Sequence, residues 1–123
     1  MKEKSEGGRP DKLTAAVQKR ILEAIELGAP YELAATYAGI CRKTLSNWKI
    51  RGEAIEAQLK EETNLKKIEK LEKDKYFLFL HKMRQAEAKG MYENLQVINN
   101  AGEKDWKAAA WLLERRWPEH FGR

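Results

Sequence analysis

Cysteine is almost absent from this 123-residue chain, where Cys41 stands alone. A single thiol excludes an internal disulfide framework and any cluster of cysteine metal ligands, and it suits a reducing cytosol. Long apolar runs are missing too. Nothing approaches the ~20 residues that a membrane-spanning helix needs, and the charged stretch from Lys2 to Glu6 leaves no room for a secretory apolar core. The expectation is a soluble protein that stays in the cytoplasm where it is made, without a membrane partner. Catalytic constellations are equally scarce. Gly7-Gly8 is not a phosphate loop, no Ser or Thr follows a Gly-Lys pair, His81 and His120 lack carboxylates at ligand spacing, and Cys41 opens a basic helical segment. The sequence therefore calls for no enzyme activity, no cofactor and no metal.

What is present is charge, unevenly distributed. The formal net charge is +5. Residues 1 to 52 hold ten basic and six acidic side chains, residues 53 to 75 six and seven, and residues 76 to 123 eight and six. The excess of positive charge sits in the first part, which is the electrostatic footprint of a nucleic-acid binder. A chain this short has room for one domain or two very small ones, so burial by self-association would help it.

The stretch from Tyr31 to Gly52 organises the rest. Pro30 suits the start of a helix, Ala34, Ala35 and Ala38 give that helix a small face, and Gly39 can end it in a left-handed conformation. Ile40 plugs the turn. A second helix then runs from Cys41 to Arg51, with Leu45 and Trp48 three apart on its buried side. This spacing is the packing pattern of a helix-turn-helix, in which Ala35 lets the helices approach and Gly39 makes the corner. An ordinary helical hairpin would share the glycine. The second helix tips the balance, because Arg42, Lys43, Lys49 and Arg51 occur in it with no acidic residue, while Thr44, Ser46 and Asn47 add short donors and acceptors for phosphates or base edges.

Residues 1 to 12 read as a flexible arm from which Arg9 and Lys12 can trail onto a DNA backbone; a disordered leader without that role is the alternative. A first helix starts near Thr14 and closes at Gly28 with Val17, Ile21, Ala24 and Ile25 at helical intervals. The expected fold class is all-α. It begins with a trihelical head over 13 to 52, with Ile21, Ile25, Leu33, Leu45 and Trp48 as its core. Residues 53 to 75 form a charged helical connector supported by Glu-to-Lys pairs four apart, with a possible break at Thr63-Asn64. Its acidic residues read as a wet helix face, not as a metal site.

From Tyr76 the chain turns apolar, and helical spacing through Ile98 predicts a helix from about Lys75 to Asn99. Asn99, Asn100 and Gly102 make a turn, Asp105 caps a last helix, and Pro118 ends it, leaving 118 to 123 as a tail. Residues 76 to 117 are thus expected to form an antiparallel hairpin whose apolar surplus is covered by other copies, through Phe77, Leu80, Met83, Met91, Leu95, Ile98, Trp106, Ala110, Trp111, Leu113 and Trp117. A compact monomer is the competing arrangement. A fragment ending near Lys75 is expected to fold alone as a monomeric head.

The run from Asp105 to Glu119, with Trp106, Trp111, Glu114-Arg115-Arg116 and Trp117-Pro118, resembles the ending of small terminase subunits of tailed bacteriophages. The beginning is similar as well, in Gly8-Arg9-Pro10, Lys12-Leu13-Thr14, Leu27-Gly28-Ala29, Ala34-Ala35 and Ala38-Gly39-Ile40. The resemblance covers about two thirds of the chain. It implies a ring-forming subunit of viral genome packaging in the host cytoplasm that recognises double-stranded DNA and delivers it to a large subunit bearing ATPase and nuclease. By the same resemblance Arg42, Lys43, Thr44, Ser46 and Asn47 face DNA and residues 76 to 117 line the ring contacts. Two other readings stand beside it: a phage or prophage transcriptional regulator acting as a dimer on a palindrome, and a scaffold whose basic helix binds an acidic protein.

Overall fold

The computed structural model describes residues 12–122, and among them every regular element is an α-helix. The arm over 1 to 11, Arg9 included, lies outside the described residues. The chain divides into two compact units, the first ending at Glu87 and the second beginning at Ala88.

In the first unit, α1 (Ala15–Glu26) starts where the Thr14 hydroxyl accepts a hydrogen bond from the Val17 amide at 3.2 Å. Helix α2 (Tyr31–Ala38) begins one residue after Pro30, which is extended and acts as the cap. It ends at Gly39, whose φ of 82° is the left-handed conformation, and the Ile40 amide bonds back to the Ala35 carbonyl at 3.0 Å. That pair of features closes a helix and turns the chain sharply within two residues.

Helix α3 (Arg42–Glu61) is nearly twice the expected length. Gly52 does not end it. This glycine is buried, and a Cβ placed on it would lie 2.7 Å from the Tyr76 carbonyl oxygen and 2.9 Å from the Leu80 Cβ. The position is a close approach between two helices, which a hydrogen in place of a side chain permits. The connector then breaks at Glu62 to Asn64, where the Asn64 side chain accepts from the amides of Lys66 and Lys67 and so caps α4 (Leu65–Glu72). Asp74 caps α5 (Lys75–Gly102) in the same way, accepting from the Tyr76 and Phe77 amides at 2.9 and 3.2 Å.

The core corrects the expected boundary of the head. Besides Leu13, Ile21, Ala24, Ile25, Leu45 and Trp48, it contains Phe79, Leu80, Met83 and Ala86 from α5. The reason is volume. Helix α2 buries only Ala34, Ala35 and Ala38, so three helices leave a space beneath Leu45 and Trp48 that α5 fills. Phe79 meets Trp48 edge to face at 6.1 Å between ring centres. Positions 79, 80, 83 and 86 share one helical stripe, so these four side chains belong to the core of the head. Leu33, expected in the core, is instead 59% exposed, because the alanines take the whole buried face of a two-turn helix. Arg84 ties α5 to α3 through a paired contact with the Glu56 carboxylate at 2.6 and 3.2 Å.

The second unit holds the end of α5, then α6 (Trp106–Arg116) and α7 (Pro118–Phe121). Asn99 and Asn100 do not form a turn; α5 continues to Gly102, and the Asp105 side chain caps α6 by accepting from the Lys107 amide at 2.9 Å. The tail is not wholly irregular either, since Pro118 occupies the first position of a short helix. Gly102 faces Ala109, whose Cβ is 3.1 Å from where a Gly102 Cβ would sit. None of the fully buried apolar side chains among the described residues belongs to this unit. No helix of the described residues is long and apolar enough to cross a membrane.

Candidate nucleic-acid interface

On α3, Leu45, Trp48 and Gly52 are buried. At ~100° per residue they occupy an arc of roughly 60°, and Lys43, Asn47 and Ile50 fall in a similar arc on the opposite side. All three of these are exposed, as is Arg42. Ser46 lies at the edge of the stripe and is half-buried. The outward ridge of the first three turns is therefore built from an amide, a hydroxyl, two cations and one branched apolar side chain.

The helix start adds to the positive potential. The first turn carries no acidic residue, so the positive end of the helix dipole and the charges of Arg42 and Lys43 act together. Among the described residues neither of these two side chains is held in an ion pair. Such an end attracts anions, phosphates included.

Three other members of the predicted set are engaged within the head. Thr44 is half-buried, its hydroxyl 3.1 Å from the Cys41 Sγ. That hydroxyl and the neighbouring backbone amides hold the exposed Cys41 thiol below the usual range. Lys49 places its ammonium 5.2 Å from the centre of the Tyr31 ring. Arg51 donates to the Tyr76 Oη at 2.8 Å and lies 4.8 Å from that ring's centre. Lys49 and Arg51 thus flank the ridge, contributing charge while their side chains are directed by tyrosines. Lys12 is exposed just ahead of the buried Leu13.

Sequence reasoning missed Ile50, which is 60% exposed. Its position two turns past Lys43 was the available signal. The tyrosine partners had no such signal, since Tyr76 is 25 residues from Arg51. Tyr31 also donates to the Glu87 carboxylate across 56 residues. Burial, with that hydrogen bond as the next cause, pushes the Tyr31 phenol well above its ordinary value, so it stays neutral and remains a donor.

Of the side chains expected to join copies, Leu80 and Met83 are buried in the first unit and Phe77 is half-buried there against His81, with ring centres 4.4 Å apart. In the second unit Met91, Leu95, Trp106, Trp111 and Trp117 are exposed, whereas Ile98, Ala110 and Leu113 are half-buried. Arg115 and Arg116 lie 4.9 and 5.2 Å from the ring centres of Trp111 and Trp117. No group of three or more His, Cys, Asp or Glu among the described residues is placed to hold a metal ion. Comparison of the chain with protein-family models, with curated proteins and with solved structures finds no match.

Proposed function

We propose that α2 and α3 form a helix-turn-helix that binds double-stranded DNA, and that the exposed apolar side chains of the second unit hold several copies together as a ring. The observation that carries the first half is the outward ridge of α3, basic at its start and free of acidic residues from Cys41 to Gly52. The second half is supported by the exposure of Met91, Trp106, Trp111 and Trp117 in a unit lacking fully buried apolar side chains.

Together with the resemblance of Asp105 to Glu119 to phage small terminase subunits, these features favour a DNA-recognition subunit of viral genome packaging. It would act in the host cytoplasm, have no chemistry of its own, and pass DNA to a large ATPase and nuclease subunit. A ring helps because one basic head binds weakly, with non-specific dissociation constants of roughly 10⁻⁴ to 10⁻⁶ M at physiological salt. Tethered heads raise one another's effective concentration on the same duplex.

The test has two parts. Arg42→Ala with Lys43→Ala should weaken duplex binding and flatten the slope of log affinity against log salt by up to about 0.9 per lost phosphate contact. Native mass measurement should give a closed assembly larger than two, which alters the ATPase or cutting rate of the large subunit encoded beside it. A discrete dimer that binds a palindrome and leaves that motor unaffected would establish the transcriptional regulator instead. Absence of any salt-dependent duplex affinity would favour the scaffold.

A further inference from the structure

Two residues on the outward ridge of α3 are poor choices for the fold. Asn47 is exposed in the middle of a helix, where asparagine is weaker than most residues because its amide competes with the backbone. Among the described residues that amide has no hydrogen-bond partner in the protein and caps nothing. Ile50, one turn further on, exposes most of a branched apolar side chain on an otherwise polar ridge. The fold requires neither, and departures of this kind from local preference are found at functional positions.

Their spacing has a chemical meaning. Lys43, Ser46, Asn47 and Ile50 stand at i, i+3, i+4 and i+7. In homeodomains, one class of three-helix DNA reader, the third helix contacts bases from that spacing, with an asparagine on adenine at i+4. The asparagine amide sets an NH2 donor beside an acceptor oxygen, which match the N7 acceptor and N6 donor that adenine presents in the major groove; no other base presents that pair. A branched apolar side chain in turn suits the thymine methyl, the one apolar group on the major-groove edge. Along the helix, Asn47 and Ile50 are about 4.5 Å apart, against about 3.4 Å per base step on one strand. They can therefore address neighbouring base pairs.

We infer that Asn47 reads an adenine and Ile50 packs on the methyl of a thymine at the adjacent base pair, so that the recognised duplex is specified by an A·T step in the major groove. The inference rests on α3 being the DNA-reading helix.

The experiment selects binding sites from a randomised duplex library with the full chain, then measures affinity for the selected site with single-atom base changes. Replacing the key adenine by 7-deazaadenine, which removes N7, should weaken binding roughly 5- to 150-fold. Replacing the neighbouring thymine by uracil should cost about fourfold, the worth of one buried methyl. In Asn47→Ala the 7-deazaadenine penalty should vanish, and in Ile50→Ala the uracil penalty, while the salt slope stays at the wild-type value and the melting temperature does not fall. A selected site without a fixed A·T step, or penalties that persist in these variants, overturns the inference. Retained salt-dependent affinity in that case leaves the DNA-binding reading standing, whereas no affinity for any duplex removes both.

Discussion

The two units of this chain use similar residues in opposite ways. The first places Phe79, Ile21, Leu45, Leu80 and Met83 almost wholly out of water and lines the gaps with alanines. The second carries three of the four tryptophans, and Trp106, Trp111 and Trp117 all remain exposed, as do Met91, Tyr92, Val97 and Phe121. Apolar content alone thus does not make a core. Four helix segments can enclose a space; the end of one helix followed by α6 and a single further turn cannot, so large aromatic side chains stay at the surface. The difference separates a part with a closed apolar core from a part whose large apolar side chains stay exposed.

The largest expected effect tests where the part with the closed core ends. A fragment of residues 12–87 should fold cooperatively as a monomer, whereas 12–75 loses Phe79, Leu80, Met83 and Ala86 and should show no cooperative thermal transition. Equal melting of the two would return the boundary to Lys75. In the second unit, Trp106→Ser with Trp111→Ser should weaken assembly by at least about 2 kcal/mol, or roughly thirtyfold in dissociation constant, if these side chains anchor the contact. Sedimentation would follow the loss, and the head's thermal transition should not move. A folded monomer in the unmodified protein would end that half of the proposal.

Gly52→Ala sharpens the comparison within the head. In an open helix alanine would stabilise by about 1 kcal/mol over glycine, but here the new methyl meets the backbone of Tyr76 and the side chain of Leu80. We expect net destabilisation of about 1–3 kcal/mol in denaturant unfolding. A gain would mean that α5 can move away from α3 at no cost.

The smallest effect is a pH dependence. The Arg84 guanidinium holds the Glu56 carboxyl below its ordinary value of 4.5. A carboxylate with a depressed folded value contributes stability that is fully present above 4.5 and is lost as pH falls through the folded value. Arg84→Gln should therefore lower the head's melting temperature slightly at neutral pH, and the gap from wild type should close in stronger acid. Both groups are solvent-accessible, so added salt should narrow the gap as well.

What the sequence determined by itself was local. Helical periodicity, the capping side chains of Thr14 and Asp105, the αL corner at Gly39 and the absence of acidic residues from Cys41 to Gly52 are properties of neighbours in the chain, and short-range hydrogen bonds and sterics suffice to set them. Only the tertiary structure decided that Gly52 is a crossing point and not a stop, that the run after Tyr76 completes the head, and that Arg51 and Lys49 turn toward tyrosines while Lys43, Asn47 and Ile50 face outward. Those outcomes depend on which volumes remain unfilled once several helices meet. The alanines of α2 leave a space that only side chains more than thirty residues away can fill, and no reading of one helix at a time contains that volume.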